Sequence, residues 1–224
     1  MNGKTESCLC PEKTLSVGRK KPANVEMATQ LFREEVQFMD DLKLAEVVMD
    51  KEIVYQGMLI RLEHWNVALP NGDIGKREIA CHIGAAAVVA VDDQDRIILV
   101  RQSRVAVDRI THEIPAGKLD APDEDPLCCA KRELSEETGL TADHWQKLTV
   151  LETTPGFCNE RIHIYLATGL HEGCTHPDED EFVDVERIPF EEAVNHVMQG
   201  DYHDGKTCLG ILMAHRLHAS NEPV

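Results

Sequence analysis

The sequence predicts an α/β fold in which a mixed sheet lies between helices. Strand-like and helical segments alternate, but without the strict strand-helix-strand rhythm of an all-parallel sheet. Two apolar runs, residues 85–91 and 97–101, have the length and content of buried strands. Residues 126–138 read as a helix with a start signal, an apolar stripe and a terminating glycine. With 224 residues, 42% of them apolar, the chain can bury a core as one domain or one domain with an appendage.

The elements follow in order. Residues 1–24 hold five Lys/Arg and two Glu without periodicity, which predicts a disordered tail. Residues 25–51 are expected to form a helical extension, with Leu31, Val36, Phe38, Leu42 and Leu44 as its apolar positions. From Ile53 the period shortens towards two. Residues 54–62, 66–69 and 78–82 are strand-like, and Asn71-Gly72 signals a hairpin turn, so 52–82 form a strand subdomain. The main domain is expected over 83–218. After its two buried strands, a Pro- and acid-rich loop at 114–125 leads to the 126–138 helix. Strands are expected at 148–152, 161–167 and 182–186, an acidic loop at 173–181, and helices at 190–198 and 209–218.

Composition excludes several function classes. The formal net charge of −17 repels phosphate backbones and anionic lipid, which argues against nucleic-acid and membrane-surface roles. No apolar run approaches the roughly 20 residues of a membrane span, and the N-terminus has no apolar signal core. A cytoplasmic protein is expected. The eight cysteines show no paired CxxC spacing, so neither a zinc site nor a disulfide framework is predicted.

The chemistry is concentrated in the 126–138 helix. Asp125 can cap it, Pro126 suits its first turn, and Gly139 can close it in the left-handed conformation. Glu133 and Glu137 lie one turn apart on one face with Glu136 beside them, while Leu127, Ala130 and Leu134 form the opposite stripe. Carboxylates so placed repel one another unless a hard dication such as Mg²⁺ or Mn²⁺ takes their oxygens. The string Arg-Glu-apolar-any-Glu-Glu-any-Gly occurs by chance on the order of once in ten thousand chains of this length.

That segment resembles the Nudix box, matching at Arg132, Glu133, Leu134, Glu136, Glu137, Gly139 and Leu140, and at Glu124 eight residues before Arg132. It departs from the box in having six residues between Gly117 and Glu124 instead of five, with Asp123 where a glycine is usual. The lead-in at residues 113–117 (EIPAG) and Pro155, fifteen residues after Leu140, are similar to the ADP-ribose pyrophosphatase branch. So are residues 101–104 (RQSR), 155–161 (PGFCNER) and 204–207 (DGKT); the likeness spans roughly residues 52–216.

The resemblance implies a Nudix-type α/β/α sandwich and divalent-metal-dependent hydrolysis of ADP-ribose to AMP and ribose 5-phosphate. By it, Glu133, Glu136 and Glu137 are catalytic and hold Mg²⁺ or Mn²⁺, with the Ala116 carbonyl as a backbone ligand. The base is expected in the acidic loop, at Glu179 first and Glu181 second. Arg104 and Glu113 are implied near substrate and metal, Glu160 near the ribose, and Arg77 as a contact reaching over from a partner subunit. Met58 stands where the family often stacks the base on an aromatic ring, with Tyr55 and Trp65 as alternatives. A homodimer exchanging the 52–82 strands is therefore expected. A GDP- or UDP-sugar substrate is the neighbouring reading. A nucleotide sensor is the remote one, opposed by the three retained glutamates.

Overall fold

The computed structural model describes residues 40–174 and 182–221. They fall into two units, residues 40–47 with 68–74 and residues 48–67 with 75–174 and 182–221. Within the first, the predicted Asn71-Gly72 turn is present. Leu69 donates its N–H to the Asp73 carbonyl at 2.8 Å, and Gly72 takes φ +88°, a conformation that costs glycine nothing. The strands and helices below belong to the second unit, apart from end residues 47, 68 and 74.

Strands β1 (Val47–Gln56), β2 (Arg61–Ala68) and β3 (Ile74–Cys81) form one sheet in that order. β1 corrects the helical reading of residues 25–51, because the chain is already extended at Val47. The β-branched pair Val47-Val48 continues into Ile53-Val54 as one strand, a context in which such side chains fit better than in a helix. Residues 25–39 of that predicted helix lie outside the described residues, as does the 1–24 tail.

A second sheet has seven strands: β4 (Ala85–Val91), β5 (Arg96–Arg104), β6 (Arg109–Glu113), β7 (Ala116–Lys118), β8 (Leu140–Glu152), β9 (Arg161–Glu172) and β10 (Asp184–Pro189). Its order is β10-β5-β4-β9-β8, with β6 on β5 and β7 on β4. β4 and β9 run parallel while β8 and β9 run antiparallel, so the sheet is mixed, as the irregular alternation predicts. Among the described residues, three helices pack with this sheet: α1 (Pro126–Thr138), α2 (Phe190–Gln199) and α3 (Gly205–Asn221).

The layering follows from β4, whose seven residues are all buried. Successive side chains of a strand point to opposite faces. Ala85, Ala87, Val89 and Val91 pack with Phe190, Ala193 and Val194 of α2 and Ile211 and Ala214 of α3. Ala86, Val88 and Ala90 pack instead with Cys129, Ala130 and Leu134 of α1. A strand that is apolar on both faces thus sits between helices on both sides, which is the predicted α/β/α sandwich. α3 approaches closely at Gly210, where an added Cβ would stand 2.8 Å from Val89 Cγ2.

Several boundaries differ from the sequence reading, and the run read as one strand at 54–62 is divided between β1 and β2 by residues 57–60. β6 follows a short 3₁₀ turn, Val105–Val107, and β7 lies inside the segment expected to be loop. β8 begins at Leu140 rather than 148, and its register shifts between Lys147 and Thr149, which breaks the alternation that would reveal it. α3 begins at Gly205 rather than 209. No helix among the described residues is long and apolar enough to cross a membrane.

Candidate active site

α1 is built as its sequence dictates. The Asp125 carboxylate accepts the Leu127 N–H at 2.9 Å, Pro126 opens the first turn, and Gly139 ends the helix at φ +70°. One stripe, Cys129, Ala130 and Leu134, is sealed against the sheet. What the apolar pattern does not explain is that Glu133 and Glu137 are also buried, at 7% and 3% exposure. Carboxylates are seldom this covered without dedicated partners.

The partners come from β7 and from Arg132. Ala116 donates its N–H to Glu137 Oε2 at 3.0 Å. Arg132 Nη1 reaches Glu133 Oε1 at 2.6 Å and Glu136 Oε2 at 3.2 Å. Burial tends to lower the Arg132 pKa, but Glu133 and the neighbouring carboxylates raise it on balance, so the guanidinium stays charged. Gly117 leaves the room that the Glu133 carboxylate occupies: a Cβ there would collide with it. The altered loop also has a use for Glu124, whose Oε2 accepts the Asp120 N–H at 2.6 Å and whose Oε1 lies 3.6 Å from Arg132.

Arg132, Glu133, Glu136 and Glu137 face a cleft of about 750 Å³ that also takes in Arg104, Glu160 and Lys206. Among the described residues, four cationic side chains and five carboxylates line it. No three donor side chains among the described residues stand preassembled as metal ligands, since Arg132 and the Ala116 N–H already engage the glutamates. In donor chemistry, however, the set fits a hard divalent ion. The donors are carboxylate oxygens, Glu133 and Glu137 are already buried, and Gly117 leaves room for the Glu133 carboxylate. Glu133, Glu136 and Glu137 could hold such an ion, with the Ala116 carbonyl alongside.

Glu113 and Arg104 are paired with each other. Glu113 is 3% exposed, and Arg104 forks onto it with Nε at 2.8 Å and Nη2 at 2.7 Å. Lys206 Nζ reaches it at 2.5 Å and Thr111 Oγ1 at 2.6 Å. Burial alone would raise the Glu113 pKa, but Arg104, Lys206 and Thr111 outweigh it and bring it down to about 2. The hydrogen bond to Glu113 likewise raises the Arg104 pKa.

Glu160 lines the cleft beside His82, 3.4 Å from its Nδ1. That nitrogen also accepts the Gly84 N–H at 3.0 Å. Arg77 and Met58 stand outside the cleft of their own chain. Arg77 donates to the Lys76 carbonyl at 2.9 Å, and Met58 is fully exposed at the turn after β1. Glu179 and Glu181 lie outside the described residues. Lys206, within the DGKT string, has no role in the sequence reading; the signal that marks it is a lysine in the first turn of a helix, where a cation is disfavoured.

The NUDIX domain family model matches residues 82–206, which include the whole of this cleft apart from Leu59. The chain is 44% identical to the ADP-ribose pyrophosphatase of Bacillus subtilis over 75% of its own length and 91% of that protein. It is 38% identical to the ADP-ribose pyrophosphatase of Mycobacterium tuberculosis over 75% of its length and 82% of that protein. A crystal structure described as an ADP compounds hydrolase superposes with a TM-score of 0.70 over 81% of this chain and 98% of the other, at 22% identity, a likeness of fold. The box on α1, the buried glutamates and the family match over more than half of the sequence agree: the chain belongs to the NUDIX domain family.

Proposed function

We propose that the chain is a pyrophosphohydrolase that splits ADP-ribose into AMP and ribose 5-phosphate with a divalent ion, Mg²⁺ or Mn²⁺. The observation that supports this best is the pair of buried glutamates, Glu133 and Glu137, beside Gly117 in a cleft that also holds Arg104 and Lys206. Glu133, Glu136 and Glu137, with the Ala116 carbonyl, would hold the ion, which neutralises the diphosphate and lowers the pKa of water. Arg132 orients two of those carboxylates. Arg104, whose Nε and Nη2 are engaged by Glu113, would offer its remaining Nη1 to a phosphoryl oxygen, while Glu160 would accept a ribose hydroxyl. Glu179, between β9 and β10 in the sequence, is the proposed base. Attack on one phosphorus adds the water oxygen there and transfers its proton to the base, while the bridging oxygen leaves with the other phosphate. No covalent enzyme intermediate is required.

The proposal includes a cytoplasmic homodimer in which residues 52–82 bring Arg77 and Met58 to the partner's site. All ten residues of β1 are exposed in the single chain, including Val47, Met49, Ile53 and Tyr55, which is the surface such a pairing would cover. The test is a product assay with ADP-ribose, a GDP-sugar and a UDP-sugar in Mg²⁺, beside Glu137→Gln. AMP and ribose 5-phosphate should form with wild type and fall by at least about 10²-fold in the variant. Preferential cleavage of a GDP- or UDP-sugar would replace the substrate, and binding without turnover would overturn the enzyme.

A further inference from the structure

We infer that a second cavity, walled by Trp65, His163 and the loop before α1, binds an uncharged nitrogen heterocycle, a nucleobase or its nucleoside, at the same time as the catalytic cleft holds substrate. The cavity lies wholly in the second unit. Its ligand goes beyond the diphosphate-hydrolase reading and does not rest on it.

The cavity measures about 850 Å³, within the range of small-molecule sites. Trp65, on β2, is part of its wall and not of the cleft's. The indole is held there against a rule of stability. Glu63 is a carboxylate only 4% exposed; its Oε2 accepts the Trp65 Nε1–H at 2.6 Å, and Arg61 Nε stands 2.5 Å from its Oε1. The Trp65 hydrogen bond is the chief reason that the Glu63 pKa is lowered in spite of burial. A well-packed apolar residue would hold β2 in place without a buried ion. What the carboxylate adds is a fixed indole. Lys51 Nζ covers the ring 3.9 Å from its centroid, and an aromatic ring clamped in this way loses little freedom when a flat ligand stacks on it.

His163, on β9, lines the same cavity and points to a ligand independently. Its Nδ1 is buried and has no hydrogen-bond partner among the described residues. Burial, with Lys147 and Arg161 nearby, lowers the His163 pKa, so the ring is neutral at pH 7. A buried ring nitrogen left unpaired destabilises the chain, and a ligand that supplies the missing bond removes that penalty. Charge then selects the ligand. Five carboxylates line the cavity, at Asp123, Glu124, Asp125, Glu152 and Glu160, and the one Lys or Arg in its described lining, Arg161, lies 3.3 Å from Glu152. A phosphate is repelled by such a wall, whereas a neutral ring with polar edge atoms satisfies both Trp65 and His163. His82 and Glu160 line this cavity and the cleft alike, so the two sites meet at that pair.

The experiment is equilibrium dialysis of the whole chain against labelled adenosine, with and without saturating α,β-methylene ADP-ribose and Mg²⁺, beside thermal unfolding of the unliganded chain. Adenosine should bind within about twofold alike in both conditions and quench the Trp65 fluorescence. Trp65→Leu should bind adenosine about tenfold more weakly. His163→Leu should bind about fivefold more weakly while its unfolding midpoint holds or rises, because the unpaired nitrogen is gone; a merely structural histidine would lower the midpoint and leave binding alone. AMP should bind at least about tenfold more weakly than adenosine, since its phosphate meets the carboxylates. The inference is overturned if adenosine does not bind at about 1 mM, if the analogue displaces it, if either variant binds within twofold of wild type, or if AMP binds as tightly as adenosine. A chain that binds adenosine through Trp65 and His163 but does not bind the analogue would overturn the hydrolase reading while leaving this site in place.

Discussion

Gly117→Ala isolates the contact on which the site depends. Gly117 is absent from the residues with positive φ, so its backbone can host an alanine without strain. The added Cβ would instead overlap the Glu133 carboxylate. That carboxylate is 7% exposed and tied to Arg132 at 2.6 Å, so it must swing by about 1 Å or more and take the guanidinium with it. A displacement of that size at a reacting centre costs about 10²-fold in rate, and overpacking beside a buried group costs about 1–3 kcal/mol of stability. Initial rates on ADP-ribose across a Mg²⁺ titration should show that loss together with a raised metal requirement, since the shifted group is a proposed ligand. Thermal unfolding of the same samples would show whether the fold survives. A Gly117→Ala protein that turns over within threefold of wild type at unchanged Mg²⁺ requirement would refute the reading of Glu133 as held in place by that gap.

Glu113, with its pKa down at about 2 against the ordinary 4.5, contributes stability that is complete above about pH 4.5 and fades as pH falls towards 2. The size is about 3 kcal/mol. Urea unfolding between about pH 5 and pH 3 should therefore lose stability more steeply in wild type than in Glu113→Gln, and parallel curves would contradict the assignment. Thr207→Val removes the fully buried acceptor of the Ile114 N–H and should destabilise the chain by about 1–3 kcal/mol in the same assay. Asp125→Ala deletes the α1 cap at Leu127 N–H and should cost about 1 kcal/mol. A midpoint unchanged by either substitution would show that the bond in question contributes nothing.

What could be read from sequence was local. α1 was legible to the residue because its cap, its period and its stop all lie within one segment, Asp125 to Gly139. β4 and the buried part of β5 were legible because continuous apolar runs need no partner to be recognised. β6 and β7 were not, since neither has such a run and each is a strand only by pairing with β5 or β4. The helical reading of 25–51 failed where β1 begins because an apolar spacing suited to a helix was preferred over the β-branched residues at 47 and 48. In the site, the three glutamates were found from spacing alone, whereas the Glu113–Lys206 pair was missed because its members lie 93 positions apart. No window along the chain contains both.

The same non-local assembly answers a difficulty that composition raises. A chain with a net charge of −17 should repel a diphosphate. Yet four of the eighteen residues lining the cleft are Lys or Arg, against 23 in 224 for the whole chain, so positive side chains are about twice as frequent where the substrate would lie. They arrive from different elements: Arg104 ends β5, Lys118 ends β7, Arg132 is on α1 and Lys206 begins α3. With five carboxylates facing these four cations, the cleft remains slightly negative, and binding a dianion there requires added positive charge. Divalent ions held by Glu133, Glu136 and Glu137 would supply it. Metal and substrate should therefore bind with positive coupling, each weakening sharply when the other is withheld, as a paired calorimetric titration would measure.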